Sequence, residues 1–435
     1  MAHQEVDVLA VGAGPANLAL AVAIEESGHT GLAANTLLIE QHADIKWQRG
    51  LLLPGARSQV SFIKDLVTLR NPRSNFSFLN FMHSKRRLDE FVNLSTFYPY
   101  RSEISEYLAW VADSLRQVRV RYNARCASIA VNRDADGAPH DWTVTLVGGD
   151  TITCRDLVIG VGREPQVPEV FRQLPADKVI HSSRYCAGIA ELDRERPYRV
   201  AVVGGAQSAA EMFYAVHEDL PASRPTILLR SVGFQNYQTS KFVNELFYPS
   251  FVDEFFECDQ ESRRQILEEM RITNYAGLAP PFLDELYAML YRQRLNGDDR
   301  SRVMTLTEIV TARQDGEEVV LELSDRRTRK ITELRCDLVL LGTGYRNEPS
   351  PLFRQLEPQL GIDPVGVSRN YRVEIDNAPW GAIYLQGTNE ETHGIADSLI
   401  SVLAHRSAEI VEDMVTRRTA SGQRIGTPQP AGRGA

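Results

Sequence analysis

The sequence predicts an α/β protein built on two Rossmann-like dinucleotide-binding units plus a small substrate-binding domain, and three observations carry that expectation. A strand, glycine turn and helix follow one another near Val6, the same succession recurs near Tyr198, and two similar strand-plus-glycine segments bracket the second occurrence. At 435 residues the chain can fill two or three domain cores.

The first unit begins with the apolar run Val6–Val11, which carries one aspartate and leads into "GAGPANLALAVAIEESG". Gly12 permits the turn, and Gly14 lets the backbone approach a pyrophosphate at the helix N-terminus, where free N–H groups favour anions. Pro15 belongs to the same fingerprint, and Asn17 stands at its third position in place of glycine. The next strand, "TLLIE", ends at Glu40, where an acidic side chain can hold a ribose hydroxyl.

The second unit begins with "YRVAVV" (Tyr198–Val203), followed by "GGAQSAAEMFYAVHEDL". Its turn offers Gly204, Gly205, Gln207 and Ser208, with Ala206 at the position of the second glycine. Its next strand, "TILLRS", reaches a cation, Arg230, where the first unit has an acid. A guanidinium there suits a 2′-phosphate, so this half is read as binding NADPH.

The bracketing segments are "DLVIGVGREPQVP" (Asp156–Pro168) and "CDLVLLGTGYRNEPSP" (Cys336–Pro351). They imply an FAD domain interrupted by an NADPH domain. The expected boundaries are 1–165 for the first part of the FAD domain and 166–340 for the insert, with a substrate-contacting segment at about 236–295. Residues 341–415 return to the FAD domain and close the substrate site, and the Gly/Pro/Arg-rich tail 416–435 is expected to be disordered.

Composition excludes several functions. A net charge of -9 without a basic block of five argues against a nucleic-acid binder. No window reaches ~18 apolar residues, so no membrane span is expected, and "MAHQEVDVLAVG" does not read as a signal peptide. Five cysteines (126, 154, 186, 258 and 336) never form a CxxC pair, which suits a reducing cytoplasm and offers neither zinc site nor dithiol centre. His181, His393 and His405 are too scattered for a metal, and His393 in "THG" reads as a turn residue and not a general base. Paired flavin and nicotinamide sites without a dithiol leave hydride transfer to flavin, followed by reaction with oxygen or another acceptor. The FxGxxxHxxxW signature of ketone-oxidising flavoproteins is absent from "FRQLPADKVIHSSRYCAG".

One stretch resists a secondary-structure reading. "QVSFIKDLVTLRNPRSNFSF" (Gln59–Phe78) embeds Lys64, Asp65, Arg70 and Arg73 among Val60, Phe62, Ile63 and Leu66. It is read either as a loop whose lysine snorkels outward or as the wall of a small-molecule site.

Together with "FYPYRSEISEYLAWVA", "FVNELF", "TNYAG", "GTGY" and "ETHGIADSLISVLAHRS", that stretch resembles the N-hydroxylating flavoprotein monooxygenases of siderophore pathways. L-ornithine N5-monooxygenases are the nearest likeness and L-lysine N6-monooxygenases the next, in the same order from about Val6 to about Val411. The resemblance implies that Lys64 binds the substrate carboxylate, that Gln59, Trp47 and Leu399 lie near the flavin, and that Asn244 holds the amino-acid end. It further implies that Asn274 faces nicotinamide and amine, that Ser401 closes the pocket, and that Arg230 meets the NADPH phosphate. Asn274 and Gln59 would be the catalytic pair, FAD and NADPH the cofactors, molecular oxygen the co-substrate, and the assembly a dimer or tetramer. Departures from the family pattern are Gln48, Ala206, Lys241, Ala276 and Gly342.

The reaction so implied is NADPH- and oxygen-dependent hydroxylation of the terminal amine of a basic amino acid, L-ornithine first. L-lysine or a diamine is the alternative substrate, and an NADPH oxidase-like or degenerate flavoprotein the alternative class. Only a neutral amine has a lone pair to react, so the site must desolvate it; Asn274, a neutral donor and acceptor, suits that end, and a point cation suits the carboxylate end.

Overall fold

The computed structural model describes residues 2–238, 240–275, 277–362, 365–375 and 381–420. The apolar amino-terminal run forms β1 (His3–Val11), and parallel neighbours β2 (Thr36–Ile39) and β6 (Thr151–Ile159) pair on its two sides. Between them in sequence come β3 (Arg119–Arg121), which extends the sheet beyond β2, and the antiparallel β4 (Cys126–Arg133) and β5 (Pro139–Leu146), which extend it beyond β6. Val8 to Val11 are all buried, because the central strands are covered on both faces and so read as a continuous apolar run. One cover is the Pro15–Glu25 helix, buried from Asn17 to Ile24.

After β6 the chain builds a second sheet. β7 (Val179–His181), β8 (Arg199–Val203) and β9 (Arg224–Leu228) precede a short parallel pair, β10 (Gln235–Asn236) with β11 (Gly277–Leu278). Helices Gln260–Asn274 and Pro280–Leu295 lie in this region. The sheet is completed by β12 (Arg302–Met304) and β16 (Leu338–Leu341), giving the all-parallel order β12-β9-β8-β16-β7. An antiparallel meander, β13 (Thr307–Asp315), β14 (Glu318–Asp325) and β15 (Ile331–Cys336), packs on it through Val319, Leu321 and Leu323. The chain then returns as β17 (Ala382–Leu385), parallel to β6. The architecture is the expected α/β pairing of two Rossmann-like sheets.

The segments crossing between the sheets run side by side. Gln166 N–H donates to the Gly344 carbonyl (2.9 Å) and Arg346 N–H to that of Glu164 (2.8 Å). The final helix, Leu403–Ala420, continues into the segment whose composition suggests disorder. The reason is packing: Met414 and Arg418 are buried, and Arg418 bonds Asp156 at 2.8 Å. Residues 421–435 lie outside the described ones.

A buried ion pair joins the two units. Arg101 opens the Arg101–Ser114 helix against the first sheet; Glu211 lies on the Gln207–Asp219 helix of the second. The guanidinium donates to both carboxylate oxygens (2.8 and 2.7 Å), both side chains are only 5% exposed, and Arg101 also donates to the Leu51 carbonyl at 3.1 Å. Removing one partner strands a buried charge, so Glu211→Leu alone is expected to cost about 3–5 kcal/mol, whereas the double variant Arg101→Met/Glu211→Leu recovers most of it. Denaturant unfolding of the three proteins checks this; a loss below ~1 kcal/mol in the single variant would refute the clamp.

Candidate active site

In the first sheet, register sets the geometry. Val11 pairs with Ile39 and Ile159, and Ile159 with Leu385, so the next residues, Gly12, Glu40, Gly160 and Gln386, share one row at the carboxyl edge. Gly12 has φ +91°, and a Cβ there would lie 2.8 Å from the Gly160 carbonyl oxygen, so only glycine fits. Gly14 has nothing within 4 Å of a Cβ position, which leaves an open cradle at the helix start, with Pro15 at the first helical position. Glu40 accepts from Ala13 N–H (3.0 Å) and His42 N–H (2.9 Å), and so braces the rim of the turn.

Asn17 does not face this cradle. It is fully buried, donates to the carbonyls of Val11 (2.9 Å) and Gly12 (2.7 Å), and accepts from Gln386 Nε2 (2.8 Å). The expectation that Asn17 meets the cofactor directly is therefore corrected: it is a brace beneath the turn. It fits because the residue opposite is Gly160, whose Cβ would lie 2.6 Å from Asn17 Oδ1. The open Gly14 cradle at a helix start suits a pyrophosphate, and among the described residues the Ser401 hydroxyl and the acceptor Gln386 Oε1 are buried without a partner. Leu399 and Trp47 are half-buried, Trp47 against the first core, while Gln59 is exposed. Gln48, one of the departures, adopts φ +50° at a turn.

Residues 59–77 contain no strand or helix, and Phe78 opens the next helix. Asp65 replaces the missing ladder. Its carboxylate accepts from the N–H groups of Val67 (2.9 Å), Thr68 (2.6 Å) and Phe78 (2.7 Å) and from the Thr68 hydroxyl (2.8 Å). Burial pushes its pKa up while these donors oppose the shift. The Tyr107 hydroxyl donates to the Phe76 carbonyl (2.8 Å), and Arg70 is tied to Glu26 (2.7 Å). Asp65 and Arg70 therefore have partners within the protein, and Arg73 is exposed.

Lys64 is the exception. It is half-buried, burial pushes its pKa down, and its ammonium has no hydrogen-bond or ion-pair partner among the described residues. It lines a narrow recess of about 20 Å³ with Ser58, Ser61, Leu66, Ile104 and Ile400. Ile400 joins Leu399 to Ser401, so the recess reaches the orphaned hydroxyl's own segment. A partly desolvated cation without a counterion is a ready partner for a carboxylate.

Asn244 ends the short Lys241–Asn244 helix, half-buried and with no side-chain partner among the described residues. Asn274 is the last residue of the Gln260–Asn274 helix; its side chain, like Ala276, lies outside the described residues. Beside it, the Tyr275 hydroxyl donates to the Glu390 carboxylate, with Arg163 Nη1 at 3.4 Å and Ser398 Oγ at 3.4 Å. Burial raises the pKa of both Tyr275 and Glu390. This knot ties the crossover segment, the Asn274 helix end and the loop leading to Ser401. Asp65, Arg163, Tyr275 and Glu390 were given no role by sequence reasoning; Asp65 and Tyr275 lie inside the family runs, whereas no local signal marked Arg163 or Glu390.

In the second turn, Gly204 has φ +133° and a Cβ there would lie 2.5 Å from the Gly342 carbonyl oxygen. Gly342 is explained too, since its Cβ would fall 2.4 Å from Ala209 Cβ. Ala206 caps the helix in extended backbone (φ -108°), which needs no glycine. The side-chain amide of Gln207 donates to Glu211 (2.8 Å) and accepts from Ala279 N–H (2.9 Å), which leaves its backbone N–H at the helix start as its means of meeting a cofactor. Gly205 and Ser208 remain half-exposed at the turn, and the Arg230 side chain is exposed with no partner among the described residues.

His393 is 1% exposed, and burial pushes its pKa down to about 4. Its Nε2–H donates to the Arg369 carbonyl (3.1 Å), which leaves Nδ1 to accept from the Thr392 hydroxyl (2.8 Å), while the ring stacks on Tyr371 at 4.1 Å. It is a structural residue, as its sequence setting implied.

Two sheets with parallel central strands, each with a glycine turn at its carboxyl edge, and a lysine recess beside the first define an oxidoreductase with paired dinucleotide folds and a small-molecule site. More narrowly, the chain belongs to the L-lysine 6-monooxygenase/L-ornithine 5-monooxygenase family, whose model matches residues 4–347. It is 36% identical over 426 residues to the L-ornithine N(5)-monooxygenase of Pseudomonas aeruginosa, covering 93% of this chain and 92% of that one. Among solved structures, the Kutzneria sp. 744 ornithine N-hydroxylase, described with reduced FAD, NADP+ and L-ornithine, superposes with a TM-score of 0.87 at 33% identity, over 95% of this chain and 100% of that one. The L-lysine 6-monooxygenase of Pseudomonas syringae does so with 0.83 at 30% identity, over 95% and 99%. Among the described residues no group of histidine, cysteine and acidic side chains could hold a metal, and no helix is long and apolar enough to cross a membrane.

His393 generates a pH prediction. Its folded pKa of about 4 lies below the ordinary 6.5, so between those values the unfolded chain binds a proton that the folded one refuses. Stability is therefore expected to fall as pH drops from 6.5 to 4, by on the order of 3 kcal/mol from this group. His393→Phe should flatten that slope in denaturant titrations run at stepped pH; an unchanged slope would place its origin elsewhere.

Proposed function

We propose that this protein is an NADPH- and oxygen-dependent flavoprotein monooxygenase that hydroxylates N5 of L-ornithine, for siderophore or related natural-product biosynthesis. The observation that carries the substrate reading is Lys64, a half-buried cation with no partner among the described residues, at a recess beside the Ser401 segment. In this reading Gly12, Gly14 and Pro15 hold FAD, Gly204, Gly205, Ser208 and Arg230 hold NADPH, and the Ser401 hydroxyl, without a partner among the described residues, closes the substrate pocket near the flavin. Bound FAD, once reduced, supplies the oxygen-activating chemistry. The chain's own residues bind and orient the amine. Lys64 takes the α-carboxylate as a point cation, and Asn244, whose amide has no partner among the described residues, completes that end. Asn274 offers the terminal amine a neutral donor and acceptor, so the lone pair is available without an added charge. Asp65 fixes the wall that carries Lys64, because its four accepted hydrogen bonds leave that loop one conformation.

L-lysine is the second reading, favoured by the likeness to the Pseudomonas syringae enzyme. One methylene separates the two substrates, worth only ~1–3 kcal/mol in a pocket. The same reading expects a cytoplasmic enzyme that self-associates, with its five cysteines kept as thiols.

The test is hydroxylamine yield with NADPH and oxygen across ornithine, lysine, putrescine and cadaverine. Ornithine is expected to give the highest kcat/KM; hydrogen peroxide release indifferent to every amine would sink the reading. Lys64→Ala should raise the KM for ornithine by about 30-fold or more, and change the rate with putrescine, which has no carboxylate, far less. An unchanged KM for ornithine would remove Lys64 from the carboxylate.

A further inference from the structure

Beyond β9 the chain runs Leu229–Arg230–Ser231, and a neighbouring segment clasps it by backbone bonds. Leu229 N–H donates to the Met304 carbonyl (2.8 Å), Thr307 N–H to that of Leu229 (2.9 Å), and Leu306 N–H to that of Ser231 (2.9 Å). To do this Leu306 takes φ +53°, a left-handed conformation that a bulky side chain rarely adopts. The Leu306 carbonyl accepts from Arg326 N–H (2.8 Å), and Arg326 Nη1 donates to the Arg230 carbonyl at 2.7 Å.

Arg326 lies on the turn "DRRTRK" between β14 and β15. Its one acid, Asp325, is engaged by Arg327 at 2.7 Å. Neither Arg230 nor Arg326 has a carboxylate partner among the described residues. Ser231 Oγ lies 3.5 Å from the Cβ position of Gly205, so this corner adjoins the glycine turn. In a chain of net charge -9, the Arg326 guanidinium is thus held against the Arg230 backbone at the second dinucleotide cradle, and neither arginine is neutralised by a carboxylate among the described residues. Two such cations on adjoining segments favour an anion that reaches both. Arg326 gives one of its donors to the Arg230 carbonyl and keeps the rest of its planar fork for phosphate oxygens.

We propose that Arg326 is a second 2′-phosphate residue, acting with Arg230, and a determinant of the preference for phosphorylated over unphosphorylated nicotinamide dinucleotide. This rests on the reading above, in which Arg230 meets that phosphate. It assigns the β14–β15 turn a role in cofactor choice.

The test is calorimetric binding of 2′,5′-ADP and of 5′-AMP to the FAD-loaded protein and its Arg326→Gln, Arg326→Lys, Arg230→Ala and Arg327→Ala variants. Glutamine can still donate to the Arg230 carbonyl but carries no charge, so Arg326→Gln separates phosphate attraction from bracing. The expected result is about ten-fold or greater loss of 2′,5′-ADP affinity in Arg326→Gln, unchanged 5′-AMP binding, and partial recovery in Arg326→Lys. Arg327→Ala, whose guanidinium is already neutralised, should change neither. Equal losses for both ligands, or less than two-fold loss for 2′,5′-ADP while Arg230→Ala loses it, would overturn the role of Arg326 alone. If Arg230→Ala also retains 2′,5′-ADP, the phosphate reading of Arg230 falls with it.

Discussion

Where the two sheets meet, the Arg101 guanidinium and the Glu211 carboxylate share two hydrogen bonds away from water, and the geometry around the site follows from that contact. Glu211 also takes the Gln207 amide, and Gln207 in turn takes Ala279 N–H at the head of the Pro280–Leu295 helix. One desolvated charge therefore ties together the first sheet, the second glycine turn and the helical region after it. A paired charge held this way resists sliding, because any displacement exposes it to a low-dielectric interior without its partner. The crossover segments, linked by only a few backbone bonds, could not impose the same precision.

The loop beside the first cradle shows a related economy. A strand or helix would satisfy backbone donors with carbonyls; here one carboxylate, Asp65, satisfies three N–H groups and a hydroxyl. That leaves the loop free of regular geometry while fixing it in place, and it lets Lys64 stand in apolar surroundings without a local counterion. Phe62 adds packing with Phe78, Phe91 and Phe97 at centroid distances of 5.2–5.8 Å. A half-buried cation is tolerable only where the wall around it does not collapse onto it.

Much of this was legible in the chain itself. Both glycine turns, the acid and the cation closing the two second strands, and the order of the sheets follow from local demands: positive φ, close backbone approach and continuous apolar strands. Lys64 stood out because a lysine amid Val60, Phe62 and Leu66 needs a reason. Asn17 was read as a ligand residue, and the bracing role of the Gln207 amide was not foreseen, because a polar side chain in a fingerprint looks the same whether it faces a ligand or the protein. Their partners, Gln386 and Ala279, lie 369 and 72 residues away, and no local pattern announces them.

The sequence by itself determined the α/β class, the two dinucleotide turns and the family, since these rest on backbone conformations and apolar periods written into neighbouring residues. The tertiary structure decided which polar side chains are engaged within the protein and which stay free. The side chains of Asn17, Gln207 and Asp65 are engaged by other groups of the protein, whereas Lys64, Ser401 and Arg230 are left without partners among the described residues. The physical reason is that a hydrogen bond is satisfied by whatever the fold brings within about 3 Å, and that neighbourhood is assembled from segments far apart in the chain.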